Sequence, residues 1–396
     1  MTAQSMEEPH RGTSSSAGRI LIADDQQHIL FALQMLLRGS GFSTETATHP
    51  ARVLSALESE PFDAILIDLN YTRDTVGGAE GLDLLSKIRA IDSVVPVVVM
   101  TAWSTIDLAV EAMRRGASDF VQKPWENGEL LQKLQQQLSV AREQRRKQRV
   151  HEEELRDARE IQASLLPKTL PEVAGYEIAA INQPLRHVGG DYYNVMRIDD
   201  RHTAICIADV AGKGMPAALL MSSLQAALQP LIAQNLPPQE LCQRLNRILC
   251  DVMPVGKFIS FFYGVLDNEE NRLTYCNAGH NPPLLIRADG ASAELGAEGA
   301  VLGQFPEWLF QQTELQIQRG DKLLLFTDGL VEACNTSDEL FSEQNLVRIA
   351  QETPAFSSQE LMGSLMRAAW EHCQGHFQDD ASLIVLKASP RDGGSE

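Results

Sequence analysis

Short apolar runs that stop on an acid recur along this chain. Ile20–Ala23 leads into Asp24 and Asp25, Ala64–Ile67 into Asp68, Ile205–Ala208 into Asp209, and Leu323–Phe326, after one threonine, into Asp328. Runs this short, bounded by turn residues, read as buried strands rather than helices. A buried strand that ends on a carboxylate carries a charge to the rim of its sheet, where burial is costly unless another group compensates it. The chain must therefore fold into sheets whose tips gather acids, at two separate places in the sequence.

The texture around the two places differs. From Arg19 to about Leu138, the runs Ile20–Ala23, Ala64–Ile67, Val94–Met100 and Phe120–Val121, with a weaker strand at Ser43–Ala47, alternate with helical patterns such as Ile29–Leu37 and Leu82–Ile88. That alternation implies a doubly wound α/β domain, a parallel sheet covered on both faces, with functional residues at the carboxyl ends of its strands. From Glu126 to about Leu166 the sequence is rich in Gln, Arg, Glu and Leu with almost no Gly or Pro, which predicts one long helix on the order of 60 Å. Its apolar seam (Leu131, Leu134, Leu138, Ala141, then Leu155, Ala158, Ile161, Leu165) is broken by a charged block around Arg145–Glu154, so a solvated connector and a dimerising coiled coil are both open readings. From Tyr176 to about Lys387 strand patterns surround two helices, Pro216–Ile232 and Pro238–Met253, which suggests an α+β sandwich with helices outside. The expected organisation is a loose lead-in over 1–18, an α/β domain over 19–138, a helical linker over 139–166, the sandwich over 167–388 and a loose tail over 389–396.

Composition narrows the function classes. A net charge of −19 over 396 residues disfavours a nucleic-acid backbone or an anionic membrane as partner. The six cysteines are scattered with no CxxC pair, which suits reduced thiols rather than a disulfide frame or a zinc site. No stretch approaches roughly 18 continuous apolar residues, and the polar, Ser-rich start lacks a signal-peptide core, so a cytoplasmic location is expected.

In the first domain, Asp24, Asp25 and Asp68 end strands one and three, Thr101 ends strand four, and strand five leads into Lys123 and Pro124. Strand tips in a parallel sheet lie side by side, so three carboxylates, a hydroxyl and an ammonium converge. All-oxygen ligation favours Mg²⁺, and the cation, Lys123 and Thr101 together can hold a phosphoryl group. The set resembles the CheY-like receiver domain of response regulators. That resemblance implies phosphorylation at Asp68, Mg²⁺ at Asp24, Asp25 and Asp68, and switch residues Thr101, Phe120 and Lys123. It also implies a cis Lys123–Pro124 bond and a cognate histidine kinase. The loop Asn70–Gly78 is longer than receivers usually have.

In the second domain, Gly189-Gly190-Asp191, Asp209-Val210-Ala211-Gly212-Lys213-Gly214, Thr327-Asp328-Gly329 and Asp379-Asp380 place acids at four strand tips. Oxygen ligands without His or Cys point to Mg²⁺ or Mn²⁺, and two such ions about 3.5–4 Å apart can activate a water for in-line hydrolysis of a phosphate ester. With Asn277-Ala278-Gly279-His280, these segments resemble the SpoIIE-like branch of the PPM (type 2C) serine/threonine phosphatases. The resemblance implies two metal ions held by Asp191, Asp209, the Val210 carbonyl, Asp328 and Asp379. Asp380 is a further candidate, and His280 is either a general acid or a structural member of its loop. Asn194 stands where the subfamily commonly repeats an Asp. Arg186, His187 and Lys213 read as surface charges, with Lys213 also placed to meet a substrate phosphate.

The two resemblances together imply a response regulator whose Asp phosphorylation controls a metal-dependent protein phosphatase. The family's usual substrate is a STAS-type antagonist in a partner switch acting on anti-sigma factors. The long helix would transmit the signal, with homodimerisation as an amplifier. Three alternatives are open at this point: a phospho-regulated scaffold that binds without hydrolysing, a transcription factor carrying a receiver, and an enzyme for a phosphorylated small molecule.

Overall fold

The computed structural model describes residues 17–71, 79–101, 106–296 and 299–389. Most of the expected lead-in and tail, and residues 72–78 of the long loop, lie outside these. The chain divides into two compact units between Glu152 and Glu153.

The first unit runs β1 (Arg19–Ala23), α1 (Gln27–Gly39), β2 (Ser43–Ala47), α2 (Pro50–Ser59), β3 (Ala64–Asp68), α3 (Ala79–Ile91), β4 (Val97–Thr101), α4 (Ile106–Arg114), β5 (Asp119–Gln122) and the first part of α5 (Asn127–Leu165). All strand pairs are parallel, in the order β2-β1-β3-β4-β5. β3 and β4 are buried at every position because helices cover both faces. Ile65, Ile67, Val97 and Val99 pack with α2 and α3, while Leu66, Val98 and Met100 pack with α1 and α5. This is the doubly wound sheet expected from the alternation of runs. The Lys123–Pro124 peptide is cis.

The helix α5 spans 39 residues. Of its expected seam, Leu134, Leu138 and Ala141 are buried with Leu130 against the first unit's own sheet, and Leu131 packs beside them. That half of the seam therefore belongs to the domain core and is not available to a coiled coil. Ile161, further along, is 65% exposed.

The second unit runs β6 (Tyr176–Gln183), β7 (Tyr192–Arg197), β8 (His202–Val210), α6 (Met215–Ile232), α7 (Pro238–Val252), β9 (Ile259–Asp267), β10 (Arg272–Ala278), β11 (Leu284–Ile286), β12 (Ser292–Glu294), β13 (Thr313–Gln316), β14 (Lys322–Phe326), α8 (Asp328–Val331), α9 (Ser342–Glu352), α10 (Ser358–His372) and β15 (Ala381–Ala388). Two antiparallel sheets form, β13-β10-β9-β8-β7 and β12-β11-β14-β15-β6. Strand alternation builds a layered sandwich from them. Ile205, Ile207, Phe262, Leu323, Leu325, Ile384 and Leu386 fill the space between sheets. Cys206, Ala208 and Phe261 face α6 and α7 on one outer side, and Leu324, Leu383 and Val385 face α8, α9 and α10 on the other.

By length and composition α6 is apolar enough to cross a membrane, which the residue-by-residue reading did not anticipate because Ser222, Ser223 and Gln225 interrupt it. Its residues Met221, Leu224, Leu228 and Ile232 are instead buried in the core against α7 and the sheet. A core helix of a sandwich needs that apolar character without any bilayer.

Candidate active site

In the first unit, Asp24, Asp25 and Asp68 bring one carboxylate oxygen each within 4.8 Å of one another, and no other three acids, His or Cys do so among the described residues. Asp24 and Asp68 are buried, and the Lys123 ammonium bridges them, 2.6 Å from Asp24 Oδ2 and 2.7 Å from Asp68 Oδ2. Burial raises the Asp68 carboxyl above its ordinary range, with Lys123 working against that shift. One buried oxygen, Asp25 Oδ1, has no hydrogen-bond partner, as expected of an atom aimed at a hard cation. Thr101 is buried at the end of β4, beside the tip of β3 that carries Asp68. Phe120 is 41% exposed, with the Lys133 ammonium 5.0 Å from its ring centre.

The acids of the second unit come from both sheets. Asp191 immediately precedes β7 and Asp209 lies near the end of β8; these strands pair antiparallel, with Tyr192 opposite Ala208. Asp328 follows β14, and Asp379 and Asp380 precede β15; these too pair antiparallel, with Phe326 opposite Leu383. Each antiparallel pair thus delivers its acids to one end.

Cross-braces tie the two pairs together. Thr327 Oγ1 and Ser382 Oγ, from the second sheet, both donate to Asp191 Oδ2, each at 2.7 Å. Asp380 reaches back to the loop ahead of β7, accepting from Leu185 N at 2.8 Å and Gly190 N at 2.6 Å. Gly189 is required there, because a Cβ would stand 2.5 Å from Asp380 Oδ2. The same glycine is gripped from α5, where Gln162 donates to its carbonyl at 2.6 Å and accepts from its N–H at 3.0 Å. Sequence reasoning missed Thr327, Ser382 and Gln162 as site residues. Only Thr327, next to Asp328, carried a local signal.

The electrostatics are those of acids crowded out of water. Burial, then the charge of Asp209, drives Asp191 well above the usual carboxylate range. Burial, then Asp328, Asp379 and Asp380, pushes Asp209 up to about 7. Asp328 and Asp380 are raised mainly by burial as well, and the two backbone N–H donors partly offset this at Asp380. Lys213 meets this group at one point, 2.6 Å from Asp379 Oδ2, and donates to Gln378 O at 2.7 Å. An all-oxygen set with this much unrelieved repulsion fits hard divalent cations.

His280 sits one strand over from Asp209, through Ser260, which pairs with Asp209 across β8 and β9. The ring is 2% exposed, Nδ1 is 2.8 Å from Ser260 Oγ, and burial lowers its pKa to about 4. Asn277 holds the same residue through its N–H at 2.8 Å and its carbonyl at 3.1 Å. Burial favours the neutral ring, and among the described residues it makes no hydrogen bond to an acid of the cluster. Asn194 donates to Tyr192 Oη at 3.0 Å inside the core.

Both units resemble known proteins. The response regulator receiver domain model matches residues 20–135, and the model for stage II sporulation protein E (SpoIIE) matches residues 199–389. Phosphoserine phosphatase RsbU of Bacillus subtilis (strain 168) is 31% identical over 235 residues, which cover 59% of this chain and 70% of RsbU. Phosphoserine phosphatase RsbP of the same organism is 29% identical over 204 residues, 50% of this chain and 49% of RsbP, so the chain spans about half of that relative. The SiaA-PP2C domain of Pseudomonas aeruginosa shares the sandwich fold, with a TM-score of 0.54 at 19% identity over 61% of this chain and 98% of that one. The chain belongs to the SpoIIE family of PPM phosphatases and carries a response regulator receiver domain ahead of its phosphatase domain.

Proposed function

We propose that phosphorylation of Asp68 by a cognate histidine kinase controls a serine/threonine protein phosphatase whose substrate is a STAS-type anti-sigma-factor antagonist in a partner switch. The observation that carries the catalytic part is that Asp191, Asp209, Asp328 and Asp379 are delivered to one end of the sandwich, more openly spaced than the receiver acids, with Asp191 braced across the sheets by Thr327 and Ser382. The substrate class draws on the likeness to RsbU and RsbP.

Asp191, Asp209, Asp328, Asp379 and the Val210 carbonyl would hold two Mn²⁺ or Mg²⁺ ions, and Asp24, Asp25 and Asp68 one Mg²⁺. Bound ions would supply a water of lowered pKa and charge neutralisation on the phosphoryl oxygens. The chain's own residues do the rest. Thr327 and Ser382 fix Asp191 by both donating to a single oxygen, Oδ2. Asp380 acts through the backbone of Leu185 and Gly190, holding the loop that presents Asp191. In the receiver, Lys123 is placed to neutralise a phosphoryl group on Asp68.

Control would run along α5. Its first turns are part of the receiver core through Leu130 and Leu134, and Gln162 near its end grips Gly189 by two hydrogen bonds. A small shift of that end would move the backbone that precedes Asp191. We place the protein in the cytoplasm and expect a homodimer, with neither nucleic acid nor membrane as partner.

The test is phosphate release from a phosphoserine STAS-domain protein, with and without an acyl-phosphate donor. Release that changes with donor in wild type but not in Asp68→Asn, at an equal basal rate, is the expected outcome. A donor response that survives Asp68→Asn would rule out control through that residue.

A further inference from the structure

We propose that Arg186 and Lys257 form a cationic rim that seats acidic side chains on either side of the phosphorylated residue, and so select which phosphoprotein is accepted. This rests on the phosphatase reading above and concerns its substrate.

Three cations from separate stretches of chain meet the loop Ala211–Gly214 that leaves Asp209. Lys257, between α7 and β9, donates to Ala211 O at 3.0 Å. Its ammonium stands so close to Gly212, at a φ of +120°, that a Cβ there would come within 2.6 Å of Nζ. Arg186, ahead of the two glycines that precede Asp191, lies along Gly214, with Nη1 3.6 Å from where a Cβ would be. Between these two contacts sits Lys213, already committed to Asp379 and to Gln378 O.

The three are not equivalent. Lys213 reaches into the carboxylate cluster and belongs with the phosphoryl chemistry. Arg186 is exposed, Lys257 is half-buried, and neither has a carboxylate partner within ion-pair distance among the described residues. In a chain with 53 acids against 34 lysines and arginines, two cations without a carboxylate partner beside a group of acids stand out. They leave a positive rim around a negative centre, which favours an anionic ligand arriving from outside. They also meet the loop at its two ends, residues 211–212 and residue 214, rather than at one point. A peptide whose phosphorylated residue enters the cluster would carry its neighbours past these two positions, and carboxylates there are the complementary chemistry. Glutamate and aspartate flanking the phosphoserine or phosphothreonine are therefore the recognised feature.

The experiment uses the full chain with Mn²⁺ and four substrates: phosphoserine peptides of equal length with acidic, neutral or basic flanks, and p-nitrophenyl phosphate, which has no flanks. Wild type is expected to show its lowest KM on the acidic peptide. Arg186→Gln and Lys257→Gln should each raise that KM roughly three- to fivefold, and the double variant about tenfold, with kcat and the neutral peptide little changed. Lys257→Arg, which keeps the charge, should restore the preference. A KM shift of equal size on all four substrates would overturn the proposal, since the residues would then serve the phosphoryl group. A fall in kcat without a change in KM would also overturn it, leaving Lys257 as a support for the loop. Wild type active on all four without preference among flanks would refute the rim while sparing the phosphatase reading. Wild type inactive on all four would overturn both.

Discussion

The two acid clusters use the same residue type and are held together in different ways. In the receiver, the acids stand on adjacent tips of one parallel sheet, so strand register alone brings Asp24 and Asp68 together, and Lys123 lies between them at 2.6 and 2.7 Å. In the phosphatase unit the acids come from two sheets with no shared hydrogen-bond ladder. Their proximity depends on side-chain braces, Thr327 and Ser382 on Asp191 and Asp380 on Gly190. The only ammonium that meets this cluster among the described residues binds Asp379, at its edge. The receiver cluster is thus part of its fold, with one ammonium shared between two of its three acids. The phosphatase cluster is assembled, under more repulsion, and can be loosened one brace at a time.

Substitutions can break this comparison. The largest effect is expected from Asp191→Asn, which removes an acid from the cluster and should cost several kcal/mol of transition-state stabilisation, about a thousandfold in kcat/KM for phosphatase activity. Incorporation of phosphate at Asp68 should be retained in the same protein, measured by acid-labile phosphate; a loss there would mean that the substitution disrupts the receiver cluster as well. Next is Thr327→Val, which keeps the shape and removes one donor to Asp191. The Mn²⁺ concentration for half-maximal activity should rise roughly ten- to a hundredfold, as for other outer-shell partners of metal ligands. An unchanged requirement would mean that the brace does not set the acid's position.

The smallest effect concerns stability. His280 is buried with its pKa lowered to about 4, below the unfolded value of about 6.5. The unfolded chain therefore takes up the proton first as pH falls. Stability from keeping this ring neutral is present above about pH 6.5 and is lost progressively toward pH 4, by as much as about 3 kcal/mol. Denaturant unfolding of wild type and His280→Asn across that window should show a steeper fall for wild type in the phosphatase transition alone. Parallel curves would mean that the ring does not titrate as its burial requires.

Much of this was legible in the residues. Apolar runs ending on Asp24, Asp68, Asp209 and Asp328 announced both clusters, because a strand tip is a local feature. The parallel sheet followed from the alternation of strands and helices, and the sandwich from strands surrounding α6 and α7. What stayed hidden depends on long-range register. Ser382 meets Asp191 from 191 positions away, and Lys257 reaches Ala211 across 46. Neither pairing has any local pattern to betray it. The first half of the seam on α5 stayed ambiguous for a related reason: a leucine repeat looks the same whether it faces a second helix or, as at Leu134 and Leu138, the sheet of its own domain. The burial of His280 was hidden in the same way, because it depends on the pairing that brings Ser260 to its ring.

One measurement tests the central claim, a receiver-gated metallophosphatase, most directly. It is Mn²⁺-dependent hydrolysis of p-nitrophenyl phosphate by wild type and Asp328→Ala, each with and without an acyl-phosphate donor. The account predicts activity that needs both Mn²⁺ and Asp328 and that changes when the donor is added. Folded, metal-loaded wild type with no activity in any condition, or with activity equal in Asp328→Ala, would contradict it.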